Sequence, residues 1–527
     1  MKVLVTDPIA PRGIDLLVDA GLVVDQKGKL SESELIDVIA DYDALIVRSG
    51  TKVTAGVIKA AHRLRVVGRA GAGVDNIDVE AATNKGILVM NTPGGNSVSV
   101  AEHTLGLMLA LARQLVHADQ SMKQGRWEKK RFLGRELRGK TLGLIGLGKV
   151  GQEVARRAAY MGMRVIAFDP YISERLASDL DVRLVDLDEL YRTADIISLH
   201  ASLNQATRRM INRDSLDRMK RGVYIINCAR GELIDEEALL EALESGRVAG
   251  AGLDVFQNEP SPDPRLVGHP RVIATPHIAA STLEAQELVG VVIAEQIRDY
   301  LLDGQIRNAV NFPAIPPDEF NRLAVYLDLG EKLGRFISQV AHVRLNEIGI
   351  RYYGELASLN SYPVSNAVLC GVFKPMLGDD VNLINARRVA EERHVTVIET
   401  RSSRERNFSN LISVQLRDGQ GGVDWVEGTV LHQGQLRLVS IDGLDLEVPF
   451  SRYMLLIRNQ DVPGVIGRIG TILGNAQINI ASFALGRQPD QREAIGILTV
   501  DSPIPDDVLQ EIRRSAGIRE VRFVTLD

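Results

Sequence analysis

TLGLIGLGKVGQEVARRAAYMGMRVIAFD, residues 141–169, is the stretch that decides the fold. TLGLI is a short, almost wholly apolar run, as expected of a strand buried on both faces. Gly146-Leu147-Gly148-Lys149-Val150-Gly151 then turns the chain, and KVGQEVARRAAYMG follows at helical spacing. A second strand, RVIAFD, ends in Asp169. Alone, G-x-G-x-x-G is a weak pattern. Between a strand and a helix, with an acid about 20 residues on, it marks a dinucleotide-binding unit. Gly146 permits the tight turn, Gly148 lets a pyrophosphate approach the backbone, and Gly151 completes the pattern at the helix start. Asp169 would bind a ribose 2′-hydroxyl and repel a 2′-phosphate, which favours NAD over NADP. The bland alternative is an α/β turn with no ligand.

The same alternation extends in both directions. After TLGLIG and RVIAFD come DIISLH, VYIINC, GAGLDV and VIATPH, six candidate strands in all. Upstream, KVLVTD, DALIVRS, RVVGRA and ILVMNTP read as strands, and PRGIDLLVDAG as a helix. A long helix is expected from about Ser97 to Gly125, capped by Asn96 or Ser97. The fold class is therefore α/β: two doubly wound, parallel-sheet (Rossmann-like) units in tandem. A helix over about Thr282–Leu302 and the proline-rich NFPAIPPDEF follow. The segment from about 318 to 450 reads as α+β. It opens with a helix over roughly Glu319–Val340, and its end alternates at period two as antiparallel strands do. The last ~75 residues read βαββαβ, a ferredoxin-like order.

Composition narrows the function. The chain has 527 residues, 45% apolar and 25% charged, which is ordinary globular usage spread over several domains. A net charge of −6 argues against an electrostatic nucleic-acid binder. Two cysteines, Cys228 and Cys370, make no disulfide framework and suit a reducing compartment. MKVLVTDPIA lacks the apolar run of a signal peptide, and no stretch approaches a membrane span, so a soluble, cytoplasmic protein is expected. No metal site is assigned.

Three polar residues follow successive strands of the second unit: Arg230 in YIINCARGELID, Glu259 in GLDVFQNEP and His277 in VIATPH. Strand carboxyl ends line the ligand crevice of an open parallel sheet. The chemistry of the three fits alcohol oxidation. NAD takes the hydride, and a histidine titrating near neutrality takes the proton. A carboxylate beside it orients the ring and raises its pKa. An arginine fork holds a substrate carboxylate. Singly each has a plain reading: a surface histidine, turn chemistry at Glu259-Pro260, or an Arg230 paired with Glu232 or Asp235. His103 is expected to be packing, His200 has no nearby carboxylate, and Cys228 is given no nucleophilic role. Gly71-Ala72-Gly73 is either a plain turn or a set of backbone N–H groups offered to an anion.

GLGKVG with Asp169, NCARGELIDEEAL, GLDVFQNEP and HIAAST resemble the D-2-hydroxyacid dehydrogenase family. VRSGTKVT, GRAGAGVDNID, NTPGGNSVSVAEHT and GRWEKKRFLGREL look like its long branch, the D-3-phosphoglycerate dehydrogenases. NQDVPGVIGRIGTIL with INIASF resembles an ACT domain, and the segment before it the intervening domain of that branch. The resemblance covers the whole chain. It implies NAD-dependent oxidation of 3-phosphoglycerate to 3-phosphohydroxypyruvate, the committed step of serine synthesis. It implies Arg230 on the substrate carboxylate and Glu259 partnering His277, the acid/base. Lys149 and Val150 would sit on the pyrophosphate turn, Cys228, Ala229 and Arg230 beside the nicotinamide, and Asp254 near its amide, with His277 and Ala280 also on the cofactor side. Ala72 and Gly73 would approach the substrate carboxylate, and Arg48 and Asn96 its phosphate. The implied domains are 1–96 with 284–311 for substrate, 97–283 for NAD, 312–450 intervening and 451–527 ACT.

Two departures touch the cofactor loops. HASLNQAT has Ser202 where proline is usual, and in HIAAST a glycine is common in place of Ala279 or Ala280. In the last domain Asn459, Asp461, Pro463-Gly464 and Asn479 suit a small amino acid, with L-serine the obvious candidate effector. A homo-oligomer, dimer or tetramer, is expected. Trp127 either fills a partner pocket or covers its own domain. The runner-up functions are a glyoxylate or hydroxypyruvate reductase, which would lack the C-terminal ~215 residues, and a transcriptional corepressor on the same fold.

Overall fold

The computed structural model describes residues 1–402, 404, 406–487 and 493–526. Two parallel sheets come first. One has five strands in the spatial order Val23–Gln26, Lys2–Val5, Ala44–Val47, Val66–Arg69, Leu88–Met90. The other has seven: Val272–Ala274, Val248–Leu253, Val223–Asn227, Ile196–Leu199, Thr141–Ile145, Arg164–Phe168, Arg183–Leu184. In the second sheet the winding reverses beside Thr141–Ile145, whose carboxyl end carries the glycine loop. Ligands of open α/β sheets bind at that switch point. The central strands Ala44–Val47, Thr141–Ile145 and Ile196–Leu199 are buried along their whole length, as helices on both faces require.

The helix Leu283–Asp303 leaves the second sheet and packs in the first unit. Its Val289, Ile293 and Ile297 share a core with Val3, Val5 and Ile46. The first unit is thus completed by a late piece of chain. The 97–125 segment differs from the single helix expected. Ser97–Arg113 ends at Gln114, which takes φ +51, and a second helix covers Leu115–Lys123. No glycine or proline marks that break. Asn96 occupies the N-cap position, but its side chain makes no capping bond.

The remaining chain forms two more sheets. One has six strands, in the order Thr396–Ser402, Glu347–Gly354, Asn410–Arg417, Val423–Val430, Leu436–Ile441, Leu444–Pro449. Its first pair is parallel and the others antiparallel. The helix Pro317–Val340 lies against a helix Tyr362–Leu377 that the sequence pattern did not reveal. Residues Pro363 to Phe373 are all buried, so no polar face breaks the run into a helical period. The last sheet, ordered Ile480–Arg487, Glu493–Val500, Tyr453–Gln460, Ile518–Thr525, is antiparallel with helices Val465–Asn475 and Asp506–Arg514. Among the described residues no helix is long and apolar enough to cross a membrane.

Candidate functional site

The glycine loop is shaped for a ligand. Gly146 takes φ +97, and a Cβ there would stand 2.6 Å from the carbonyl oxygen of His200, so only glycine fits. A Cβ on Gly148 would meet nothing within 4 Å. Gly148 is the N-cap of the helix Lys149–Tyr160, so open space lies where free helix N–H groups can receive a phosphate. Asp169 sits under the loop. Its Oδ2 accepts the Leu147 N–H at 2.8 Å and its Oδ1 the Tyr171 N–H at 2.9 Å. The carboxylate is held in place with lone pairs to spare. These residues fit a dinucleotide. Lys149 Nζ donates to the carbonyl of Pro93 at 3.0 Å, and Val150 packs partly buried behind the loop. His200 lies behind the loop, and burial pushes its imidazole down to about 4.

Arg230, Glu259 and His277 come from the carboxyl ends of three neighbouring strands, Val223–Asn227, Val248–Leu253 and Val272–Ala274. His277 Nδ1 lies 2.7 Å from Oε2 of Glu259. The other carboxylate oxygen, Oε1, accepts the Phe256 N–H at 3.0 Å. The bond to Glu259 raises the His277 pKa, against its partial burial. Burial alone would raise Glu259, but the His277 and Phe256 bonds together hold it below the usual carboxylate range. His277 takes φ +54, a region a non-glycine residue rarely enters.

What holds His277 there is Asp254. Its side chain is fully buried. Its oxygens accept the Thr275 hydroxyl at 2.6 Å and the Ile278 and Ala279 N–H groups at 2.8 Å each. His103, expected as mere packing, joins this network: its Nε2 lies 3.1 Å from Thr275 Oγ1 and 3.5 Å from Asp254. No motif flagged it, because the contact spans 172 positions between Ser97–Arg113 and the His277 loop. Ala280 is half-buried in the same turn. Asn227 Oδ1 accepts the Ala229 N–H at 3.0 Å, fixing the chain into Arg230. Burial pushes the Cys228 thiol up to about 12, far from a nucleophile's range.

Arg230 pairs with neither Glu232 nor Asp235. Asp235 caps the helix Glu236–Glu244. The partner is Asp75, at 2.7 Å, from the GAGVDNID loop of the first unit. That loop brings Ala72 and Gly73 to the cleft: Asn91 donates to the Ala72 carbonyl and Arg69 to that of Gly73. Burial, and then the charge of Arg230, push Arg69 down to about 10, with Arg48 adding to the effect. The charges of Arg230, from the second unit, and Arg48, from the first, thus both act on Arg69. The Arg48 backbone N–H is fixed by Asp7 at 2.7 Å. Asn96 is half-buried at the start of its helix.

The three effector candidates of the last domain all have internal partners. Asn459 is 5% exposed and donates to the Gln460 carbonyl at 2.7 Å. Arg487 reaches Asp461 at 2.6 Å, and Asn479 donates to Asp501 at 2.6 Å. Trp127 is 80% exposed, so it does not cover its own domain.

Comparison with known proteins follows the same division. Residues 105–279 match the NAD-binding domain of D-isomer specific 2-hydroxyacid dehydrogenases. Residues 322–442 match the D-3-phosphoglycerate dehydrogenase intervening domain, and 453–517 the ACT domain. A D-3-phosphoglycerate dehydrogenase from Synechocystis is 45% identical over 526 residues, covering 100% of this chain and 95% of that one. Among solved structures, a glyoxylate reductase from a Paecilomyces species aligns with TM-score 0.56 and 33% identity, over 59% of this chain and 98% of its own. An NAD+-bound 3-phosphoglycerate dehydrogenase from Entamoeba histolytica aligns with TM-score 0.51 and 33% identity, over 59% and 99%.

Proposed function

Because the chain belongs to the D-3-phosphoglycerate dehydrogenase family, we propose that it oxidises 3-phospho-D-glycerate to 3-phosphohydroxypyruvate with NAD, the first step of L-serine biosynthesis. The full-length match carries this reading. The catalytic part alone aligns equally with a glyoxylate reductase, whereas the intervening and ACT domains do not belong to such a minimal enzyme. The ACT domain suggests a small-molecule effector.

When bound, NAD supplies the hydride acceptor for the substrate's C2. Gly146, Gly148, Lys149, Val150 and Gly151 would hold its pyrophosphate and Asp169 its adenosine ribose. The protein's own groups do the rest. His277, with Nδ1 on Glu259, leaves Nε2 to take the C2 hydroxyl proton. As the imidazolium forms, the Glu259 carboxylate stabilises it. Arg230 would hold the C1 carboxylate as a fork. Arg48, on the first unit with its backbone N–H fixed by Asp7, would hold a phosphate at the other end of the substrate. Two anionic groups at opposite ends suit such a cleft better than the single carboxylate of glyoxylate.

Residues 1–96 with 284–311 act in this reading as the substrate body, 97–283 as the nucleotide body, 312–450 as the intervening domain and 451–527 as the effector domain. L-serine is the proposed effector. The exposed Trp127 and Leu133 suit burial against a second copy of the chain. Two free thiols, Cys228 and Cys370, support a reducing, cytoplasmic setting. NAD reduction with 3-phosphoglycerate, compared with D-glycerate, tests the substrate.

A further inference from the structure

The guanidinium of Arg230 is met from the side. Its Nε donates to Oδ2 of Asp75 at 2.9 Å, and its Nη2 lies 2.7 Å from the same oxygen. Its Nη1 donates to the Ala229 carbonyl at 2.6 Å. A guanidinium has five N–H donors. Asp75 takes the Nε donor and Ala229 one on Nη1, leaving at least one donor on each terminal nitrogen. Those two can still form a paired contact with a carboxylate.

The loop that carries Asp75 is held without help from Arg230. The next residue, Asn76, donates from Nδ2 to the carbonyls of Arg48 at 2.7 Å and Thr51 at 2.6 Å. Arg69 and Asn91 fix the carbonyls of Gly73 and Ala72. Gly73 makes the space for the pair. A Cβ there would stand 2.8 Å from Asp75 Oδ2 and would collide with Nη2 of Arg230. Asp75 belongs to the first parallel-sheet unit and Arg230 to the second, so the pair spans the cleft.

We propose that Asp75 is a positioning residue for the reaction: it takes the Nε side of Arg230 and presents a donor on each terminal nitrogen to the substrate carboxylate. This rests on Arg230 being the carboxylate-binding residue. Electrostatics alone would give the opposite expectation. Asp75 is an anion beside the site of an anionic substrate, so removing its charge should help binding by simple Coulomb attraction. Positioning makes removal harmful, because a long guanidinium beside Arg69 would lose its fixed orientation. The sign of the effect therefore separates the two.

The test uses the full-length enzyme and initial rates with 3-phosphoglycerate and NAD. Asp75→Asn and Asp75→Ala are each made alone and combined with Arg230→Lys. Each single Asp75 variant should raise the KM for 3-phosphoglycerate about tenfold, within the range of coupled neighbouring residues, and leave the KM for NAD unchanged. In the Arg230→Lys background the same change should cost little more. An unchanged or lowered KM in the Asp75 variants, with Arg230→Lys still damaging, overturns the proposal. So does an equal loss in both backgrounds, because Asp75 would then act elsewhere. If Arg230→Lys itself leaves kcat/KM intact, the carboxylate assignment of Arg230 fails, and the proposal fails with it.

Discussion

His277 turns Nδ1 to Glu259 at 2.7 Å, so Nε2 is the ring nitrogen free for the cleft. Glu259 is the largest cause of the raised His277 pKa. Oxidation needs the unprotonated ring, so kcat/KM should climb as pH rises through the His277 pKa, somewhere above 6.5. Glu259→Gln removes the raising charge. The acid limb of the pH profile should move to lower pH, and the maximal rate should fall. An acid limb that stays in place would show that Glu259 does not set the histidine. His277→Asn should lower kcat by roughly 10²–10⁴ with the melting temperature unchanged.

Asp169 fixes the Leu147 amide while keeping lone pairs for a ribose. Asp169→Ala should weaken NAD by roughly tenfold or more, since a hydrogen bond to a charged group contributes about 1.5–3 kcal/mol. It should also narrow the preference for NAD over NADP. Initial rates with both cofactors measure this. A wild type that uses both equally would remove the role of Asp169.

Gly146 and Gly148 should respond differently to alanine. Gly146→Ala meets the His200 carbonyl from a φ of +97, so it should lower the melting temperature. Gly148→Ala meets no protein atom within 4 Å. It should melt like the wild type and raise the KM for NAD. Equal NAD affinity in Gly148→Ala would place the pyrophosphate elsewhere.

The parallel-sheet units and the strand-end triad were legible because their signals are local: a glycine turn before a helix, and polar residues where apolar runs stop. What stayed hidden depends on contacts made across the fold. Asp75 and Arg230 are 155 positions apart, and Asp75 looks like an ordinary turn residue. His103 lies on an apolar helix face, and only the folded chain brings it to Thr275. Gln114 breaks a helix without being glycine or proline. The edge strands Val23–Gln26 and Arg183–Leu184 are too short and too exposed to show a pattern. The helix Tyr362–Leu377 hides for the opposite reason, being buried on every side from Pro363 to Phe373.

Serine regulation needs both a site and a route. Asp461 is paired with Arg487 and Asn479 with Asp501, so a bound amino acid must exchange these partners. Contact with the rest of the chain is direct. Gln339 exchanges hydrogen bonds with Thr525 at 3.1 Å, and Asn382 donates to the Gly86 carbonyl at 2.9 Å. L-serine should bind the wild type by calorimetry and slow its initial rate, with Asn479→Ala binding more weakly. Equal affinity in both would remove the site, and binding without a change in rate would remove the coupling.

The most direct measurement compares NAD reduction by the purified full-length enzyme with 3-phosphoglycerate and with D-glycerate. The two differ only in the phosphate, which Arg48 is proposed to hold. Charge-assisted contacts to that group contribute about 1.5–3 kcal/mol each. 3-Phosphoglycerate should therefore lead in kcat/KM by at least about a hundredfold, and Arg48→Ala should shrink that lead without weakening D-glycerate. Equal kcat/KM for the two, or a preference for D-glycerate, would contradict the assignment of this chain as a phosphoglycerate dehydrogenase.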